Sequence, residues 1–184
     1  MGNLVRRTVV HARDLSWRLF RRPTLTRTPN RHTNIGGTMA IYPHHIGICV
    51  SDLEKSLRFW CDGMGFETTM VPPVGGEWSN ALEIGGEVDF TAHFIKRDGF
   101  EFELLHYRTP GTHGAPSMSR NQLGFTHFAV YVDDLDAEIT RLVECGGTVI
   151  ERTRTKIGEG PMSVELVFLA DPDGVRVELM KAGE

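Results

Sequence analysis

The sequence predicts an α+β fold assembled from two tandem βαβββ modules, and three observations predict it. The segment His45-Ile-Gly-Ile-Cys-Val-Ser-Asp-Leu53 returns 82 residues later as His127-Phe-Ala-Val-Tyr-Val-Asp-Asp-Leu135, and self-similarity at a fixed offset marks a repeated structural unit. After each copy the apolar period changes from two to that of a helix. Each copy then closes on two apolar strands flanking a tight turn, Asp98-Gly99 in the first and Asp171-Pro172-Asp173-Gly174 in the second, so each reads β, α, then three β strands.

The chain opens on a segment unlike the rest. Residues 1–39 hold eight arginines, no lysine and the single acid Asp14. That leader is therefore near +7, and the net charge of −4 leaves about −11 for residues 40–184. Trp17 and Phe20 could start an amphipathic turn, but Pro23 and Pro29 stop it from growing. The leader reads as a disordered basic extension, or as sequence upstream of a start at Met39, ahead of an organelle transit peptide or a nucleic-acid arm. It offers little apolar surface to bury, so folding is expected not to need it.

Residues 40–184 suit one globular domain: module one at about 41–107, a Pro-, Gly- and Ser-rich linker at about 108–124, and module two at about 125–182. No apolar run approaches the roughly 20 residues of a membrane-spanning helix. Cys49, Cys61 and Cys145 are odd in number and form no CxxC pair, which fits reduced thiols in a cytoplasmic protein.

In module one a strand begins at His45. Ser51 with Glu54 reads as a capping box for a helix whose stripe is Leu53, Leu57, Trp60 and Met64. A strand follows near 67–71, then the hairpin 89–97 and 100–107. In module two Asp133 reads as the N-cap of a helix with the stripe Leu135, Ile139, Leu142 and Val143. A strand near 148–152 precedes the hairpin 164–170 and 175–181.

Strand alternation assigns the faces. In the last strand of module one Phe100, Phe102 and Leu104 must cover the helix, so Glu101, Glu103, Leu105 and Tyr107 face away. A two-residue turn then sets Phe94 opposite Glu103, Ala92 opposite Leu105 and Phe90 opposite Tyr107. In module two Val175, Val177 and Leu179 face the helix, leaving Arg176, Glu178 and Met180 on the other side. His45 and His127 leave the helix side as well. Two histidines and two glutamates therefore occupy matching positions on two concave faces. Enclosed carboxylates repel one another and lose hydration, and a divalent cation relieves both costs. Neutral imidazole with carboxylate suits one Zn, Ni, Co, Mn or Fe(II) ion per site, so His45, Glu103, His127 and Glu178 are the candidate ligands.

Of the remaining candidates, Phe94, Tyr107, Tyr131 and Met180 share the concave faces and are expected to line a substrate cavity. His93 and His106 fall on the helix-side face, where hydrogen-bonded core histidines are expected. His44 and His113 read as exposed loop residues, and Glu83 and Glu87 as solvated loop acids or a second base.

The two HxxxxVxDL segments, the Glu103-Leu104-Leu105 end of module one and the Asp-Pro-Asp-Gly-Val-Arg-Val-Glu-Leu end of module two resemble the vicinal oxygen chelate superfamily over residues 41–182. That superfamily includes glyoxalase I, methylmalonyl-CoA epimerase, extradiol dioxygenases, and the fosfomycin and bleomycin resistance proteins. The resemblance implies curved mixed sheets around a metal-centred cavity, a small-molecule substrate and a homodimer, with no nucleic-acid or membrane partner. It implies a lyase or isomerase that abstracts a proton next to a metal-chelated carbonyl of a thioester or hemithioacetal, with Glu178 or Glu103 as the catalytic base. The alternatives are an extradiol-type dioxygenase and a non-catalytic binding or resistance protein. Glu103-Leu104-Leu105-His106 is similar to the epimerase, although Tyr107 stands where that family usually has proline. Gly160-Pro161-Met162 is similar to glyoxalase I.

Overall fold

The computed structural model describes residues 43–74 and 78–183; the basic leader 1–39 lies outside them. Module one runs β1 (Ile46–Cys49), α1 (Leu53–Leu57), β2 (Glu67–Met70), α2 (Trp78–Ala81), β3 (Asp89–Arg97) and β4 (Phe100–Thr109). Module two runs β5 (Phe128–Tyr131), α3 (Leu135–Glu144), β6 (Thr148–Ile157), β7 (Val164–Ala170) and β8 (Arg176–Ala182). The two four-stranded sheets have the same topology, β1-β4-β3-β2 and β5-β8-β7-β6. In each, the first strand lies parallel to the last and the other pairings are antiparallel. The repeat read from the sequence is thus a repeat of pairing order.

The hairpin of module one has the expected register, because Asp98 (φ 49°) and Gly99 (φ 88°) both take the left-handed conformation that a type I′ turn requires. Phe94 consequently pairs with Glu103, Ala92 with Leu105 and Phe90 with Tyr107.

The helix starts differ from expectation by one residue. Asp52, not Ser51, caps α1, its carboxylate accepting from the Lys55 amide, and Asp134, not Asp133, caps α3, accepting from the Asp136 and Ala137 amides. Ser51 instead gives its backbone N–H (3.0 Å) and its hydroxyl to Asp173 of module two. Beyond α1 the chain continues through a π-helical turn at Arg58–Gly63 that buries Phe59 and Trp60. β4 extends to Thr109, two residues into the expected linker.

One hydrophobic core joins the modules. Ile48, Ile95, Phe102 and Leu104 from the first sheet meet Val167, Leu169, Val177 and Leu179 from the second, with Trp60 and Leu142 among them. Phe128 is the central ring, lying 5.0–6.2 Å from Trp60, Phe66, Phe100 and Phe102. The Trp60 indole donates to the buried carboxylate of Asp171 at 3.2 Å. Gly147 admits no side chain here, since a Cβ would lie 2.7 Å from the Phe59 ring and 2.9 Å from the Leu142 carbonyl oxygen. Because the helix-side faces of both sheets are spent on this core, their concave faces point away from it. Phe128→Ala removes four ring contacts at the seam and is expected to lower unfolding stability by about 3–5 kcal/mol. A denaturant midpoint that hardly moves would show that the modules do not depend on this contact.

Candidate functional site

In each module the parallel pairing of the first and last strands positions a histidine beside a glutamate. Gly47 is the register partner of Glu103, and Ala129 of Glu178, so the histidine two residues earlier in the chain, just ahead of the strand, leans over the carboxylate. His45 Nε2 lies 3.0 Å from Glu103 Oε2, and His127 Nε2 lies 3.1 Å from Glu178 Oε2. The environments match too, with side-chain exposures of 33% and 18% in the first pair and 32% and 14% in the second.

A phenylalanine backs each pair. Phe94, opposite Glu103, meets the His45 ring at 5.2 Å, and Phe168, opposite Glu178, meets the His127 ring at 5.3 Å, both edge-on. Phe168 was not among the sequence candidates, although the repeat pointed to it as the counterpart of Phe94. The preceding residue engages the other ring nitrogen in both cases: His44 Nδ1 lies 2.7 Å from His45 Nδ1, and Thr126 Oγ1 lies 2.9 Å from His127 Nδ1. Occupying Nδ1 in this way fixes the ring and leaves Nε2 facing the carboxylate, as ligand histidines require.

The separation within each pair is that of a hydrogen-bonded ion pair, and it would also suit two ligands at about 2.1 Å and at right angles around an octahedral divalent ion, which stand about 3 Å apart. Among the described residues no three His, Cys, Asp or Glu side chains come together to hold an ion. The structure thus unites His45 with Glu103 and His127 with Glu178, and keeps the two pairs on separate faces.

The two concave faces differ in cover. Residues 71–74 and 78–88 cover the far end of the first, where Val74, Leu82 and Val88 pack on Phe90, Ala92 and Phe94. Tyr107 stacks on Phe90 at 5.4 Å, and burial pushes its pKa above the ordinary value. Of the expected cavity residues, Phe94 and Tyr107 therefore lie beneath this cover. On the second face β6 and β7 are joined by only the short stretch 158–163. Tyr131 stays exposed at the edge strand β5, and Met180 is half-buried opposite Leu166; the cavity of about 430 Å³ that Tyr131 borders lies on the helix side, against Phe128, Leu142 and Leu179, and holds none of the four candidate ligands. His93, half-buried, contacts the Thr68 hydroxyl at 2.9 Å, and desolvation lowers its pKa. His44 and His113 are exposed, as are Glu83 and Glu87.

A second cavity of about 590 Å³ lies along the linker. None of the four candidate ligands lines it, yet it adjoins them: its wall includes Gly47, the register partner of Glu103; Thr126, next to His127; and Arg176, two residues before Glu178. Sequence reasoning placed Arg176 on this face without a role.

Residues 42–179 match the Glyoxalase/Bleomycin resistance protein/Dioxygenase superfamily. The chain is 28% identical over 141 residues to a Synechocystis sp. protein named "Probable lactoylglutathione lyase", a match spanning 74% of this chain and 92% of that one. It is 26% identical over 152 residues to 2-epi-5-epi-valiolone epimerase from Actinomyces sp., spanning 79% and 81%. A crystal structure of a glyoxalase family protein from Bacillus cereus superposes with a TM-score of 0.67 at 18% identity, covering 82% of this chain and 99% of that one; this likeness shows the fold alone.

Proposed function

The chain belongs to the Glyoxalase/Bleomycin resistance protein/Dioxygenase superfamily, and on that premise we propose that it is a metal-dependent lyase or isomerase. It would remove the proton next to the carbonyl of a small thioester or hemithioacetal. The observation that carries this reading is the repeated His–Glu pair, at 3.0 and 3.1 Å, with matched register, matched burial and a ring behind each. His45, Glu103, His127 and Glu178 would hold one divalent ion. The chemistry supplied by such an ion, when bound, is Lewis-acid stabilisation of negative charge developing on the substrate oxygens.

Each module supplies half of the ligands on a face turned from the shared core, so we place module one of one copy against module two of a second. A two-fold homodimer generates two such sites at once. Glu178 is the base of choice: its carboxylate is 14% exposed, and the Phe168 ring next to it limits water, which favours proton transfer to a carboxylate. Glu103 is its counterpart in module one. Tyr131 and Met180 border the substrate on the more open face, while Phe94 and Tyr107 form the wall of the covered one. The free thiols of Cys49, Cys61 and Cys145 suit a reducing compartment such as the cytoplasm, and no described helix is long and apolar enough to cross a membrane.

Extradiol-type dioxygenase chemistry is the second reading, since two histidines and a carboxylate also suit Fe(II). Solvent deuterium separates the two. Metal-loaded protein given α-hydroxyacyl thioesters, methylmalonyl-CoA and hemithioacetals in heavy water is expected to exchange the α-proton of at least one of them. Oxygen uptake on a catechol with no exchange on any of the three would reverse the assignment, and neither event would make the chain a binding protein.

A further inference from the structure

The cavity of about 430 Å³ lies at the seam of the modules, between the hairpin of module one and the β5–α3 unit of module two. Alternation puts His127 and Glu178 on the opposite face of β5 and β8, while their chain neighbours Phe128 and Leu179 form the cavity floor. An occupant therefore meets the back of these strands and touches none of the candidate ligands. The floor is apolar, with Phe66 and Leu142 buried beside those two. Phe100 is different. It lines the same cavity and meets the Phe128 ring edge-on at 5.5 Å, yet it is 55% exposed. A ring left in water at the mouth of an apolar cavity gains by being covered.

The charges at the mouth compensate one another. Arg97 pairs with Asp98 at 3.4 Å and donates to the Met64 carbonyl oxygen, and Arg141 pairs with Glu138. Asp133, on the same rim, is not free either. A charged ligand would give up its hydration here for no uncompensated partner. The polar groups on offer belong to the backbone. Among the described residues β5 ends its sheet, with β8 on one side and no strand on the other. The Val132 amide donates to the Met180 carbonyl oxygen, and in a parallel ladder alternate residues turn to the neighbouring strand. Ala129 and Tyr131 therefore turn their N–H and C=O groups to the open edge, and both residues line the cavity.

We propose that the seam cavity is a second small-molecule site, which takes a neutral aromatic compound bearing one hydrogen-bonding group. The ring of the ligand covers Phe100 and reaches Phe128, and its polar group pairs with the β5 edge at Ala129 or Tyr131. An apolar pocket with a few convergent polar groups, of a volume within the roughly 300–1,000 Å³ of ligand pockets, is the form such sites take. The site is independent of the reaction proposed above.

The test titrates the full chain with indole, and with tryptamine and indole-3-acetate as its cationic and anionic counterparts, following the heat of binding and the melting temperature. Saturable binding of about one indole per chain is expected, at least tenfold tighter than that of either charged compound. Phe100→Ala removes the exposed wall, and Val132→Phe fills the space that Val132 lines; each is expected to weaken indole binding at least tenfold. Leu123→Ala, at a linker residue that is fully exposed and lies outside this cavity, should leave it unchanged. Should Val132→Phe fail to fold, Phe100→Ala decides the matter, since its ring stands half out of the core. 1-Methylindole, which lacks the N–H, is expected to bind several-fold more weakly, and equal binding would overturn the role given to the strand edge. No saturable indole binding, tighter binding of either charged compound, or an equal loss in Leu123→Ala overturns the proposal. So does sedimentation in which Phe100→Ala splits a dimer that indole does not bind, a result that would give this face to a second copy.

Discussion

Replacing His45 and His127 together by alanine is expected to abolish stoichiometric binding of a divalent ion, and a mixing experiment shows which chains share a site. Each alanine removes the one nitrogen donor of its half-site. Loss of a supporting partner already weakens metal affinity roughly 10–100-fold, so loss of direct ligands should weaken it at least a hundredfold. If a site combines module one of one copy with module two of another, H45A dimers and H127A dimers each contain two broken sites. A mixed dimer contains one site broken twice and one intact, and it should recover about half the wild-type metal content. Sites built within single chains would recover none. The readout is metal per dimer after refolding equal amounts of the two variants together, where random pairing makes about half the dimers mixed and so brings the whole sample to about a quarter of the wild-type content; wild-type metal content in the double variant would remove these residues from the ligand set.

The features that were legible in the sequence are those fixed by local rules. Asp98-Gly99 dictates a two-residue turn, the turn dictates register, and the register sets Phe94 against Glu103. The same reasoning carried to Asp171-Pro172-Asp173-Gly174 needed the pairing of Phe168 with Glu178, which the longer turn left open. Helix starts shifted by one residue because Ser51-Asp52 and Asp133-Asp134 are adjacent residues of comparable capping ability, and the extended backbone at Asp52 and Asp134 decides between them. The cover formed by 71–74 and 78–88 has no period to read. Its packing on Phe90 and Phe94 is a tertiary event, as is the bond from Trp60 to Asp171 across 111 residues. Alternation likewise assigns His45 and Glu103 to one face and His127 and Glu178 to another, but which faces meet depends on how the modules pack. Phe128 and its four aromatic neighbours settle that by drawing both helix sides into one core.

Glu178→Gln is expected to cut the turnover number by about 10²–10⁴-fold, the range by which a positioned base accelerates proton transfer, while metal affinity falls by a much smaller factor. Glutamine has nearly the shape of glutamate and keeps an oxygen that can face the His127 ring and a bound cation, but it has no lone pair basic enough to take a proton from carbon. Its surroundings should change little, because the amide can still hydrogen-bond His127 Nε2, which lies 3.1 Å from the carboxylate, while Phe168 keeps its edge-on contact with the His127 ring. Glu103→Gln provides the internal control, since it makes the same chemical change in the equivalent environment of module one, at 3.0 Å from His45. If Glu178 alone is the base, the two variants lose metal affinity alike but only Glu178→Gln loses α-proton exchange. If Glu103 shares the work, as a base that removes the proton from one side and returns it from the other, both variants lose net turnover, while each retains exchange at the centre its surviving carboxylate faces. A parallel fall in metal affinity and activity in both variants would leave neither glutamate as the base, and would turn the search to the half-buried acids outside the two pairs.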